Sequence, residues 1–159
     1  MDEVKVGPLQ SQKQWDKVNH YIELGKKEAT LLYEGDVYSD KGYYIQPVIF
    51  TDVDPDSALA QEEIFGPVLS VIYYDTYEEA VTIANNSIYG LSGAVFGPKE
   101  KAYQAAAAIR TGQVQINNGR FTHSAPFGGF KQSGLGREGS VYGFEEFLEL
   151  KTLFVKEEK

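Results

Sequence analysis

Two runs in this 159-residue chain carry the residue types that chemistry uses. Glu62-Glu63-Ile64-Phe65-Gly66-Pro67 sets paired carboxylates beside an aromatic ring and a Gly-Pro turn. Pro126-Phe127-Gly128-Gly129-Phe130-Lys131-Gln132-Ser133-Gly134-Leu135-Gly136-Arg137-Glu138 joins a glycine-rich loop to cations and an acid. Inside the second run, Gly134-Leu135-Gly136-Arg137-Glu138-Gly139 matches G-x-G-x-x-G, the pattern that cradles a dinucleotide pyrophosphate. That motif works only when a strand leads in, a long helix leads out and an acidic residue follows about 20 positions on. Here a loop precedes it, and residues 140–159 are too few for a nucleotide-binding βαβ unit. Nor does the run match a P-loop, because Gly134 is followed by Leu135 rather than lysine. It reads as a tight loop that needs positive φ and close backbone approach.

The chain contains no cysteine, which excludes a disulfide framework and any thiolate metal site. It also removes the commonest nucleophile for aldehyde chemistry. No Ser, Lys or His stands in a constellation that could replace it, so neither a catalytic residue nor a metal ligand is assigned. The net charge of −8 and a pI of 4.8 disfavour nucleic acid and anionic membrane, both of which need a basic face. No stretch approaches the roughly 20 apolar residues of a membrane span. The Met-Asp-Glu-Val-Lys start lacks a secretory segment, so a cytoplasmic protein is expected. Asn85-Asn86-Ser87 matches a glycosylation sequon but reads as a helix-end turn. Hydrophobic residues at 42% and aromatics at 13% indicate a single globular domain over 1–159, with a core built on rings.

The elements that must hold these runs follow from periodicity and caps. Ser11 with Gln14 forms a capping box, and Trp15, Val18 and Ile22 recur at helical spacing up to a stop at Gly25, Lys26 and Lys27. Residues 30–33 and 43–50 are expected strands, 52–55 a loop and 57–61 a single helical turn. Residues 68–74 read as a buried strand, and Thr76 with Glu79 opens a second capped helix. Residues 91–96 form a strand, Pro98 starts a helix through the alanines to Arg110, and residues 113–117 form a further strand. Strand, helix, strand, helix, strand predicts an α/β fold: a parallel sheet with flanking helices. A short helix near 142–147 and a terminal strand at 150–155 close the chain.

With Asn85-Asn86-Ser87-Ile88-Tyr89-Gly90-Leu91 between them, the two runs form an ordered set. In that order the chain resembles the carboxy-terminal part of an NAD(P)-dependent aldehyde dehydrogenase, over essentially its whole length. The resemblance implies the later part of the catalytic domain, with residues 150–155 as the final strand of the oligomerisation sheet. It matches Glu63 to a glutamate that hydrogen-bonds the nicotinamide ribose hydroxyls, a role suited to a carboxylate accepting from two vicinal donors. It matches Phe65 to an aromatic packed beside the nicotinamide. Gln14 aligns with a glutamine that reaches the same ribose, although the capping box accounts for it equally. Residues 118–125 match the loop lining the aldehyde entrance, with Phe121 as the aromatic of the substrate pocket. Arg120 and His123 read as loop or lining residues. Lys131 and Gly134 lie where some members hold a monovalent cation through backbone oxygens.

The family oxidises aldehydes to acids through a cysteine thiolate, hydride transfer to NAD or NADP and a glutamate-activated water. The cysteine, the glutamate and the nucleotide-binding domain belong to motifs upstream of the segment matched here. This chain alone is therefore expected to neither turn over aldehyde nor bind NAD(P). A homo-oligomer is expected, because an unpaired terminal strand presents an open edge. The alternative is a non-catalytic truncated or split module acting in oligomerisation or interaction.

Overall fold

Ser11 opens the first helix, α1 (Gln12–Glu28), by accepting the Gln14 backbone amide at 3.3 Å. Val18, Tyr21, Ile22 and Gly25 form its buried stripe, at the three-and-four spacing of an amphipathic helix. The helix runs one residue past the expected stop at Gly25, Lys26 and Lys27, ending at Glu28. A Cβ at position 25 would lie 2.4 Å from the Phe50 ring, so the glycine admits that ring rather than ending the helix. The computed structural model describes residues 6–157. They divide into two compact units at the Asn86–Ser87 junction.

In the first unit, β1 (Thr30–Glu34) pairs antiparallel with β2 (Val48–Thr51), and β2 pairs parallel with β3 (Val68–Ser70). The sheet order is β1-β2-β3, with α2 (Ala58–Gln61) lying between β2 and β3 in the chain. Residues 43–47 stay outside the ladder, and Pro47 there has no N–H to donate. Lys26 Nζ meets Glu34 Oε1 at 3.0 Å; this hydrogen bond holds the Glu34 carboxyl below its ordinary value and raises Lys26. Val18, Tyr21, Ile22, Ile45, Val48, Phe50, Val53, Leu59 and Ile64 make the core. Only two of these are aromatic, which corrects the expectation of a ring-built core. Most rings instead lie on the surface, among them Tyr73, Phe96, Phe147 and Phe154. Helix α3 (Tyr77–Asn85) closes the unit; Thr76 caps it and Asn86 ends it, as the sequon reading anticipates.

The second unit holds β4 (Ser92–Val95), α4 (Lys99–Ala108) and β5 (Gln113–Ile116). β4 and β5 are parallel, in register from Ser92↔Gln113 to Val95↔Ile116, and α4 packs on both. The fold is α/β, as the alternation of strands and helices predicts, with β3 bonded to β2 in the first unit and β4 to β5 in the second. A 3-10 turn at Lys131–Ser133 and α5 (Ser140–Glu145) follow. Residues 151–157 carry no strand here: a strand needs a ladder partner, and none pairs with this segment among the described residues. No helix among the described residues is long and apolar enough to cross a membrane.

Candidate functional site

The 62–67 loop leaves α2 and enters β3, and each of its residues has a fixed anchor. Ile64 is buried in the core of the first unit. Gly66 lies so close to α1 that a Cβ would stand 2.5 Å from Val18, which leaves room only for glycine. Pro67 passes its carbonyl to the Val48 amide at 2.9 Å. Between these anchors the carboxylate of Glu63 is exposed and the Phe65 ring is 71% exposed. Phe65 holds φ +58, a left-handed conformation that bulky residues rarely adopt.

The structure brings Gln14 onto this loop. Its Nε2 donates to the Ile64 carbonyl at 2.8 Å and to the Phe65 carbonyl at 3.0 Å. The Gln14 backbone amide makes the Ser11 cap bond, while the side chain serves the loop rather than the helix end. Two residues that sequence reasoning missed act beside it. Lys17 Nζ donates to the Glu63 carbonyl, and the Tyr21 hydroxyl donates to the Glu62 carboxylate. Their signal was available: 14, 17 and 21 share one helix face.

In the second unit, β5 ends in a turn whose two central residues, Asn117 (φ +48) and Asn118 (φ +62), are both left-handed. Gly119 donates to the Ile116 carbonyl at 2.9 Å across it, the arrangement of a type I′ turn. The Asn117 side-chain amide pairs with Gly97 both ways, accepting from its N–H and donating to its carbonyl, each at 2.9 Å. Phe121 stands edge-on to His123 and Phe127, with centroids 5.3 and 6.3 Å apart. It lines a cavity of about 300 Å³ with Tyr103, Gln115, Arg120 and Thr122. The His123 ring thus packs edge-on against Phe121.

The glycine-rich run is a closed loop. Phe127 and Glu138 exchange both backbone hydrogen bonds, at 2.8 and 2.7 Å. Arg137 Nη1 donates to the Gly129 and Gly136 carbonyls, and the guanidinium lies 5.4 Å from the Phe130 ring centroid. Gly134 (φ +129) and Gly139 (φ +71) take the positive φ that the loop reading requires, and no long helix follows. Lys131 Nζ donates to the Ser87 carbonyl at 2.9 Å. Among the described residues no cluster of three or more His, Cys, Asp or Glu is placed to hold a metal.

The sequence model of the aldehyde dehydrogenase family matches residues 1–153. The chain belongs to the aldehyde dehydrogenase family. A relative from Staphylococcus saprophyticus is 50% identical over 154 residues, covering 94% of this chain and 32% of its own length. Among solved structures, a Mycobacterium tuberculosis aldehyde dehydrogenase complexed with NAD+ is 47% identical, with a TM-score of 0.83 over 89% of this chain and 30% of that one. A mutant aldehyde dehydrogenase from Bacillus cereus is 43% identical, with a TM-score of 0.87 over 98% of this chain and 32% of that one. The chain thus spans about a third of the length of the relatives it matches.

Proposed function

We propose that this chain supplies the cofactor-facing wall and the substrate-entrance wall of an enzyme that oxidises aldehydes to acids with NAD or NADP. The observation that carries the proposal is the 62–65 loop, whose backbone is pinned while the Glu63 carboxylate and the Phe65 ring remain exposed. The residues fit a nicotinamide riboside. Glu63 is an acceptor-only group suited to two vicinal hydroxyls, and Phe65 offers a fixed apolar face for a flat ring. When bound, the nicotinamide accepts the hydride. Glu63 and Phe65 bind and orient it; Phe121 walls the aldehyde path and excludes water. The solved Mycobacterium tuberculosis relative with NAD+ supports the choice of cofactor class.

On this proposal the chain needs a thiol that its own sequence does not contain. The purified 159-residue chain should show no cofactor-dependent aldehyde oxidation and no low-micromolar NAD binding; either result would refute this. A chimera in which residues 1–159 replace the matched third of the Bacillus cereus enzyme should oxidise aldehyde. In that chimera Glu63→Gln should raise the KM for NAD about tenfold or more, the size expected for hydrogen bonds to a charged acceptor. A folded chimera whose KM ignores Glu63→Gln would remove the ribose role.

We also propose that residues 150–155 pair with a second copy, making a homo-oligomer. Leu150, Leu153, Phe154 and Val155 are exposed along this segment, and an uncovered apolar run of this kind favours association. Light scattering at high concentration should report species heavier than 17.7 kDa, and a strictly monomeric chain would count against the pairing.

A further inference from the structure

Four consecutive residues, Glu62 to Phe65, are each held by one face of α1. Tyr21 holds the Glu62 carboxylate, Lys17 the Glu63 carbonyl, and Gln14 the carbonyls of Ile64 and Phe65. Lys17 and Tyr21 are themselves coupled, the ammonium lying 5.9 Å from the ring centroid. The three residues follow the i, i+3, i+7 spacing of a single helical stripe. It shares Tyr21 with the buried stripe of Val18 and Ile22, so the core side of α1 fixes where the gripping side stands.

We infer that Gln14, Lys17 and Tyr21 are positioning residues: they lock the 62–65 backbone and hold Phe65 left-handed, so that its ring and the Glu63 carboxylate point outward before any ligand arrives. A bulky residue keeps a left-handed φ only where its surroundings over-determine it, and two of the bonds close directly on Phe65 and its predecessor. Gln14 then acts on the loop through its Nε2 donor. The value of such a lock is pre-organisation: a partner that docks on Glu63 and Phe65 does not have to order them. That benefit rests on the cofactor-facing role proposed above, whereas the lock itself does not.

The test uses the 159-residue chain without cofactor and reads nitrogen-15 order parameters for Glu63, Ile64, Phe65 and Gly66. Native values should be about 0.85, those of rigid backbone. Gln14→Glu keeps the shape but removes the donor, and the four values should fall below about 0.6 while β2 and α3 keep theirs. Gln14→Lys, which retains a donor, should restore rigidity. Lys17→Met keeps the stem but frees the Glu63 carbonyl and takes the ammonium from the Tyr21 ring, so it should loosen Glu63 and Ile64 even if Gln14→Glu folds poorly. Glu63→Gln should leave all four values unchanged, because Lys17 bonds a main-chain atom. Unchanged loop values in both Gln14→Glu and Lys17→Met overturn the inference, as does an equal fall across β2 and α3. Failure of the cofactor reading would show separately, as an intact loop in a chimera indifferent to Glu63→Gln.

Discussion

Phe50→Ala should destabilise the first unit by about 3–5 kcal/mol, the largest effect of any side-chain truncation there. Phe50 has no exposed surface and lies on β2, the central strand between β1 and β3. Its ring fills the space that Gly25 leaves on α1, where a Cβ would meet three ring carbons within 2.9 Å. Truncation therefore removes the contact between helix and sheet and leaves a void that neither can close, because the α1 backbone already sits at its nearest approach. Urea unfolding followed by Trp15 fluorescence reads this directly. Trp15 is the sole tryptophan, is half-buried and donates to the Tyr44 carbonyl at 3.0 Å. A loss below about 1 kcal/mol would show that the site collapses and that Phe50 is not the keystone of the core.

Gly112→Ala should cost about 3 kcal/mol or more in the second unit, at the upper end of overpacking effects. A Cβ at 112 would lie 1.6 Å from the Gly128 carbonyl oxygen and 2.7 Å from its carbon. Both neighbours are backbone, so no rotamer change relieves the clash. Gly112 is further fixed by its own amide, which donates to the Gly90 carbonyl at 3.0 Å. Either that bond or the 128 segment must give way. The measurable consequence is amide exchange at Val114 and Gln115 of β5, which should accelerate about a hundredfold. Native exchange rates in the alanine variant would mean that the loop yields at no cost.

Local chemistry was the most legible part of this sequence. Ser11 and Thr76 announced α1 and α3 correctly, because a capping side chain acts within three residues and needs no tertiary partner. The glycine-rich run was also readable as a loop, since Gly134 and Gly139 alone tolerate the φ values found there without strain. The errors lie where distant residues decide. Gly25 resembles a stop in isolation; only Phe50, twenty-five positions away, explains why a glycine continues the helix. The pairing of β3 with β2 is a choice of neighbour that the alternation of strands and helices does not encode. At the site, Glu63 and Phe65 stood out because they form a word-like run. Lys17 and Tyr21 did not, because their role depends on which face of α1 meets the 62–65 loop.

Asn117 has a consequence for how this family can vary. By pairing both ways with Gly97, its side chain does what one more residue of strand would do, and it does so at the point where the main chain leaves the sheet. The scaffold is thereby finished off before the 118–125 segment begins. Changes in that segment can therefore be made without dragging β5 out of register, because the strand is already closed at Asn117.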